Sequence, residues 1–163
     1  NDEKLIWLNE GLRELAVKRP DAKIKRAQVT LVTGAKQTLP ADAILLLEVR
    51  SAKGPVLFCD RGALDLFAPT WQYRPTGSEV KNFMFSSAEY PTFWVYPAQN
   101  ATPATVELVY SAYPETALIN SNVDVQDKYA AKLVDYILYR ALSKDAEVGS
   151  AERAVAYYQS FNA

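Results

Sequence analysis

The spacing of apolar residues changes twice along the chain, and this limits the folds that the sequence can adopt. Over residues 2–19, apolar residues recur every three or four positions, which predicts an amphipathic helix. Between residues 27 and 113 they alternate with polar residues, as is typical of half-buried strands. Helical spacing returns at about residues 125–143 and 151–161. The sequence therefore predicts an α+β fold, in which the N- and C-terminal helices pack as a small bundle with a central antiparallel β region.

Length and composition indicate an ordinary folded domain. A chain of 163 residues fits a single domain that folds without a metal or a disulfide. Its formal net charge of −1 argues against a protein that binds nucleic acid through a dense basic surface. No window holds about 18 consecutive apolar residues, so we predict no membrane span and no membrane partner.

Local signals predict where the helices begin and end. Gly11 lies off the apolar stripe of the first helix, which indicates a close neighbour or a tolerated loss of helix stability. Pro20 ends that helix. Asp60 is a candidate N-cap for a short helix, and Asp124 is one for the helix at 125–143.

Two hairpins are predicted within the β region. Residues 34–36, Gly-Ala-Lys, are predicted to turn between strands at 28–33 and 37–39. Strands at 80–85 and 93–96 are predicted to form a second hairpin. Core packing is the favoured interpretation of the phenylalanines in these two strands, Phe83, Phe85 and Phe93.

The residue types argue against catalysis. The chain has no histidine and one cysteine, which excludes Ser-His-Asp and Cys-His nucleophile systems and His-containing zinc sites. An enzyme with a carboxylate pair, Asp60 with Asp65 or Asp124 with Asp127, is a weaker alternative. These positions lie at predicted helix starts or turns, where capping explains them, and Asp65 is predicted to fix a turn. We therefore predict no enzymatic activity, no cofactor and no required metal.

The C-terminal helices carry more tyrosines than one buried seam needs. Interface centres favour Tyr and Arg, so the surplus predicts an oligomer or partner interface. The alternative is that the tyrosines pack inside the domain with their hydroxyls in water. The predicted interface residues are Tyr136, Tyr139, Arg140, Lys144, Arg153, Tyr157, Tyr158, Trp94 and Tyr96.

Short motifs in a fixed order carry a family resemblance over nearly the whole chain. They are Trp7-Leu8-Asn9-Glu10, Arg19-Pro20-Asp21-Ala22, Leu39-Pro40-Ala41-Asp42, Leu64-Asp65 with Pro69 and Trp71, Pro91-Thr92-Phe93-Trp94-Val95-Tyr96-Pro97, and the helical segment from Tyr129 to Phe161. In this order they resemble the head-to-tail adaptor proteins of tailed bacteriophages, the subunits of a ring beneath the portal. The chain opens at Asn1 without a Met, inside the first helix of that pattern, so we expect an N-terminal portion before it.

The resemblance implies a structural virion protein at the head-tail junction, assembled in the bacterial host cytoplasm. Its implied partners are further copies of itself in a ring, a dodecamer by resemblance, the portal protein, and a tail or nozzle protein. Genomic DNA would pass through the channel without sequence-specific binding. The low net charge suits this role, because dense Lys and Arg contacts would hold the phosphates.

Helix charges are predicted either to pair across neighbouring subunits or to remain solvated. The basic members are Arg140, Lys144 and Arg153, and the acidic members are Asp135, Asp145 and Glu152.

A carbohydrate-binding module is the main alternative from another functional class. Trp94 and Tyr96 share one face of a predicted strand, and exposed aromatic rings of this kind can stack on sugars.

Overall fold

The computed structural model describes residues 2–74, 77–144 and 150–163 and divides the chain into two compact units. Unit 1 combines Asn1–Lys23 with Tyr113–Ala163, and unit 2 is Ile24–Ala112. The fold is mixed α and β, with four helices and a seven-stranded sheet among the described residues. That the whole chain acts as a single domain stays a prediction.

The helices and strands follow one another in the order that the hydrophobic spacing predicts. They are α1 (Asp2–Lys18), β1 (Ile24–Thr30), β2 (Gly34–Thr38), β3 (Ala43–Ser51), β4 (Gly54–Phe58), α2 (Arg61–Phe67), β5 (Asn82–Phe85), β6 (Thr92–Gln99), β7 (Thr105–Ala112), α3 (Ala130–Lys144) and α4 (Ser150–Asn162).

Helices α1 and α3 of unit 1 approach each other closely at Gly11. A Cβ atom at this position would lie 2.8 Å from Cδ1 of Tyr136, closer than real Cβ atoms pack. The glycine therefore lets the Tyr136 ring lie against the α1 backbone, which explains why α1 contains a residue of low helix propensity. The buried cluster around this contact draws on all three helices and contains Leu12, Leu15, Ala22, Ala117, Leu133, Tyr136 and Phe161.

Helix α3 begins at Ala130, five residues later than the sequence predicts. Asp124 is not its N-cap, because the carboxylate pairs with Lys23 and accepts the backbone N–H of Glu115 at 3.1 Å. A 3-10 turn at 127–129 then leads into the helix. The predicted cap is wrong because this carboxylate is used to fix the connection that precedes α3.

The sheet of unit 2 has the strand order β1-β7-β3-β4-β5-β6-β2. Every neighbouring pair is antiparallel except β4 and β5, which run parallel, so the predicted antiparallel region is corrected at that one pair. One face of the sheet carries the main core of unit 2. Its members include Phe83, Phe93, Val95, Leu108 and Tyr110.

The hairpin predicted around residues 34–36 does not form. Strand β1 pairs with β7, and β2 pairs with β6. Gln37, which is buried, accepts the Val32 N–H and donates to the Val32 carbonyl, each at 2.8 Å. The Gln37 side chain therefore satisfies main-chain hydrogen-bonding groups in the connection between β1 and β2. The two strands do not pair with each other and go to different partner strands.

The second predicted hairpin and the short helix are confirmed. Strands β5 and β6 pair antiparallel, with Met84 opposite Trp94. Phe83 and Phe93 are buried in the core of unit 2, as predicted, and Phe85 packs against that core. Asp60 caps α2, since its carboxylate accepts the Ala63 N–H at 3.0 Å.

A second cluster covers the opposite side of the β5-β6-β2 portion. Trp71, in a 3-10 turn after α2, is buried with Met84 and Ala98, and Leu64 of α2 packs against them. The Trp71 indole N–H donates to Asp65 at 2.7 Å, which confirms that Asp65 fixes this turn. Helix α2 thus has one side on the sheet and its other side in solvent.

A polar triad joins β1, β7 and the residue before β3 within unit 2. Lys25 Nζ lies 2.6 Å from Asp42 Oδ2, and the Tyr110 hydroxyl donates to Asp42 Oδ1 at 3.2 Å. Burial raises the pKa of Asp42, but the hydrogen bond and charge of Lys25 outweigh burial and hold that pKa below its usual value. Burial and the nearby Asp42 carboxylate raise the pKa of Tyr110.

Replacing Gly11 by Ala should destabilise unit 1 although Ala is the better helix former. Helix propensity favours the change by about 1 kcal/mol, whereas forcing a methyl group against Tyr136 costs about 1–3 kcal/mol. We expect a net loss of up to about 2 kcal/mol, centred near about 1 kcal/mol, in the free energy of unfolding, measured by urea denaturation. Arg13→Ala, at an exposed position on the same helix, is the control and should not destabilise. Equal or greater stability of Gly11→Ala would contradict the close approach.

Replacing Asp42 by Asn should remove a stabilisation that depends on pH. Because the folded pKa lies below the unfolded value, the carboxylate stabilises above about pH 4 and loses this effect as pH falls through the folded pKa. Both ionic partners are partly exposed, so solvent screening limits the loss at pH 7 to roughly 1 kcal/mol. Melting curves from pH 7 to pH 2 should show wild type and variant converging in acid. Glu79→Gln, which removes a half-exposed carboxylate of unit 2 that pairs with Lys53, is the control.

Candidate assembly surface

The candidate site is a set of surfaces on the two units. Among the described residues, no group of three or more His, Cys, Asp and Glu side chains is placed to hold a metal ion. The carboxylates of the predicted pairs have structural partners: Asp60 caps α2, Asp65 holds Trp71, and Asp124 pairs with Lys23. Asp127, the fourth, lies exposed in the 3-10 turn before α3.

Tyr136 is a core residue, which corrects its place in the predicted interface. Its side chain is 5% exposed and packs against Gly11, with Phe161 at a ring-centroid distance of 5.0 Å. Burial raises the pKa of its hydroxyl. Tyr136 lies three residues after Leu133 and shares the buried stripe of α3 with it, so its ring has no free face to offer a partner.

Tyr139 and Tyr158 form an aromatic pair inside unit 1. Their ring centroids lie 4.7 Å apart, and both pack against the buried cluster. The Tyr158 hydroxyl donates to Glu14 of α1 at 2.7 Å. Burial raises the pKa of Glu14, but hydrogen bonds from Lys18 and Tyr158 outweigh it and lower the pKa overall. Both tyrosines therefore hold α1, α3 and α4 together.

Two predicted interface cations have partners within their own chain. Arg140 pairs with Glu10 of α1, and its hydrogen bond with Tyr136 raises its pKa. Lys144 Nζ lies 2.6 Å from Glu3, with both side chains more than half exposed. Both cations thus form ion pairs between α3 and α1 within one chain, and their pairing across subunits stays a prediction.

Arg153 and Tyr157 remain as candidates on α4. They are four residues apart and so share one side of the helix. Arg153 and Glu152 are exposed, and neither forms an ion pair with the part of the chain that the structure describes. Asp135 accepts a hydrogen bond from Ser160 at 2.6 Å, and Asp145 lies outside the described residues.

Trp94 and Tyr96 do not form an open stacking platform. The Arg61 guanidinium lies 4.3 Å from the centre of the Trp94 ring, and the Trp94 indole N–H donates to Glu89 at 2.7 Å. Trp71 meets both rings edge-on, at 6.1 Å from Trp94 and 6.4 Å from Tyr96. Sugar binding needs a free aromatic face, so this arrangement disfavours the carbohydrate-binding alternative.

The structure reveals an apolar groove in unit 1 that the sequence analysis missed. Its volume is about 580 Å³. On α3 it is lined by Ala130, Val134 and Ile137, whose spacing of four and three defines a second apolar stripe beside the buried one. That spacing is the signal that the sequence offers for the groove. It is hard to separate from the neighbouring buried stripe that contains Leu133 and Tyr136. The remaining apolar lining residues are Leu8, Val123, Val125 and Leu133.

An exposed apolar patch on unit 2 was also missed. Leu66 and Phe67 on α2 and Tyr73 in the following 3-10 turn are 82%, 89% and 81% exposed. Side chains this exposed project from the surface. The available signal was the short helix itself, since only one side of a seven-residue helix can pack on a sheet.

The two pairs of candidate residues should respond differently to truncation. Tyr139→Ala with Arg140→Ala removes two ring contacts and an ion pair within unit 1, so the free energy of unfolding should fall by about 2 kcal/mol. Arg153→Ala with Tyr157→Ala removes no ring contact or hydrogen bond to the described residues and should cost less than about 1 kcal/mol. Thermal and urea unfolding of the two double variants provide the comparison. Equal losses would contradict the assignment of Tyr139 and Arg140 to the internal contacts of unit 1 and of Arg153 and Tyr157 to its open surface.

Comparison with known proteins identifies the family of this chain. A family model described as SU10 adaptor protein matches residues 2–163. No curated protein matches the chain. Within the described ranges, every helix is too short or too polar to cross a bilayer. The match covers both units and all the surfaces described above. Members of this family are structural proteins of phage virions and are not a class of enzyme. Because the match extends over nearly the whole chain, the chain belongs to the SU10 adaptor protein family.

Proposed function

We propose that this chain is a ring-forming head-to-tail adaptor that docks on the portal, receives the tail or nozzle protein, and surrounds the path of the DNA. The family match over residues 2–163 carries this proposal. Both units of one chain act together as one adaptor subunit. The three helices of unit 1 form a small bundle on the channel side, and unit 2 contacts neighbouring subunits or the tail.

Ring formation is supported by the surfaces that unit 1 leaves open. The predicted interface cations of α3 and the Tyr139-Tyr158 pair have partners inside unit 1, whereas Arg153 and Tyr157 on α4 form no ion pair, hydrogen bond or ring contact with the described residues. Interface centres favour Arg and Tyr, so this side of α4 fits a subunit contact. The copy number that we propose is twelve, and assembly takes place in the host cytoplasm before the particle is complete.

Passage of DNA is supported by how the positive charge is used. At least ten of the 18 Lys and Arg side chains pair with a carboxylate in the same chain. Paired cations contribute little to phosphate binding, and each firm phosphate contact would slow a sliding duplex. The chain therefore suits a channel that holds DNA weakly and without sequence preference.

The experiment that tests this function combines the purified chain with the purified portal oligomer of the same phage. Sedimentation and electron microscopy should show the chain bound as a closed ring on one end of the portal. Arg153→Glu with Tyr157→Ala should lower the ring yield about tenfold or more, because the loss of an interface anchor is repeated at every contact of the ring. The melting temperature of the free variant should stay close to that of wild type.

Gln159→Ala, an exposed change on the same helix, is the matched control and should form rings normally. Failure of wild type to bind the portal would contradict the proposed function. Normal rings from the Arg153 and Tyr157 variant would leave the function standing and remove α4 from the interface.

A further inference from the structure

The apolar groove of unit 1 has an opening that no described residue fills. Its floor includes Leu133, which also belongs to the buried cluster, and its wall includes Val134, which is 54% exposed. Leu8 of α1 and Val123 and Val125 of the preceding connection complete the apolar lining. Removing this surface from water would be favourable, so the groove is suited to receive an apolar side chain.

The polar rim of the groove carries one carboxylate, that of Asp127. Asn122, Gln126 and Asp127 supply its polar groups. Asp127 is exposed, and the described part of the chain provides it with no ion pair. A partner segment that combines projecting apolar side chains with a cation would therefore match both features of the site.

The patch on α2 and its following turn, defined above as Leu66, Phe67 and Tyr73, has this combination. Arg74 follows Tyr73 directly, is exposed, and makes no ion pair with the described residues. The patch projects from unit 2, whereas the groove is concave and lies in unit 1. We propose that the Leu66-Phe67-Tyr73 patch of one copy of this chain seats in the unit 1 groove of the next copy, with Arg74 facing Asp127.

This proposal rests on the ring-forming function proposed above and assigns surfaces to it. A contact between two different surfaces is heterologous, so each copy offers one patch and one groove, and repetition of the contact closes a ring when the rotation fits. Phe and Tyr side chains bury about 150–250 Å² each, so the patch would bury roughly 400–500 Å². A standard interface buries about 800 Å² per partner, which makes one patch-groove contact too small for a stable dimer and favours closure into a ring.

Disulfide trapping tests the contact. Cys59 is the single cysteine, so Cys59→Ala gives a background in which Phe67→Cys and Val134→Cys can be introduced together. The full chain is oxidised alone at high concentration and, separately, on the purified portal oligomer. We expect a ladder of cross-linked dimers, trimers and longer species, because each copy carries both partners of a heterologous contact. Melting of the reduced variant checks that the subunit is folded.

The matched control replaces Val134→Cys by Val155→Cys. Val155 is 56% exposed, close to the 54% of Val134, but lies on α4 outside the groove. The control should give several-fold less cross-linked product. In a second arm, Arg74→Asp should lower the association constant between copies of this chain about fivefold. Adding Asp127→Arg to the same chain should restore that constant, because the two charges are then exchanged.

The outcomes separate this proposal from the function on which it rests. Rings on the portal with cross-linking no greater than in the control would overturn the patch-groove contact and leave the adaptor function standing. The patch-groove contact would also be overturned by cross-links that form only within single chains, or by a chain that stays monomeric in both samples. A wild type that never binds the portal contradicts the proposed function itself. Cross-links from Val134→Cys in the groove to a portal subunit instead of a second copy would also overturn the patch-groove contact, because another protein would then occupy the groove.

Discussion

The contact between Gly11 and Tyr136 is the constraint on which unit 1 depends. Because no Cβ separates them, the Tyr136 ring lies on the α1 backbone and brings α3 close enough for Leu12 and Leu15 to share one core with Leu133. Phe161 packs on the same ring from α4. This packing uses the inner stripe of α3, so the adjacent stripe with Val134 and Ile137 is left to line the groove. The open surface of unit 1 is therefore a consequence of how its core is closed.

Unit 2 is organised by side chains that replace main-chain pairing. Gln37 bonds both main-chain groups of Val32, and buried Gln99 accepts the Ala104 N–H at 3.0 Å and donates to the Pro97 carbonyl at 2.9 Å. Buried amides that are satisfied in this way let strands diverge without unpaired polar groups. Asp65 has a comparable role, since its bond to Trp71 holds α2 and the following turn on the sheet and leaves Phe67 in solvent.

Sequence reasoning succeeded where the signal was local, and it failed where a contact distant in the sequence determines the role of a residue. Periodicity and capping predicted α1, the short helix after Asp60, and the β5-β6 hairpin, because each depends on neighbours in the chain. Asp124 looked like a helix cap, but its partner Lys23 lies about a hundred residues away in the sequence. Tyrosine enrichment likewise indicated an interface, but composition could not show that the Tyr136 ring is buried against the α1 backbone at Gly11. The groove was missed because two adjacent apolar stripes on one helix give a single broad periodic signal.

Weak complementary surfaces suit a subunit that must assemble only in the right place. Two different apolar surfaces on one chain can polymerise into open filaments if each contact is strong, since a heterologous contact does not terminate by itself. Here the groove has a polar rim, and the patch is only three side chains wide, so a single contact contributes little. In the proposed ring, closure adds one contact without the entropy of bringing in another subunit. A portal that aligns the copies would favour closure over filament growth, because it fixes the angle between neighbours before the contacts form.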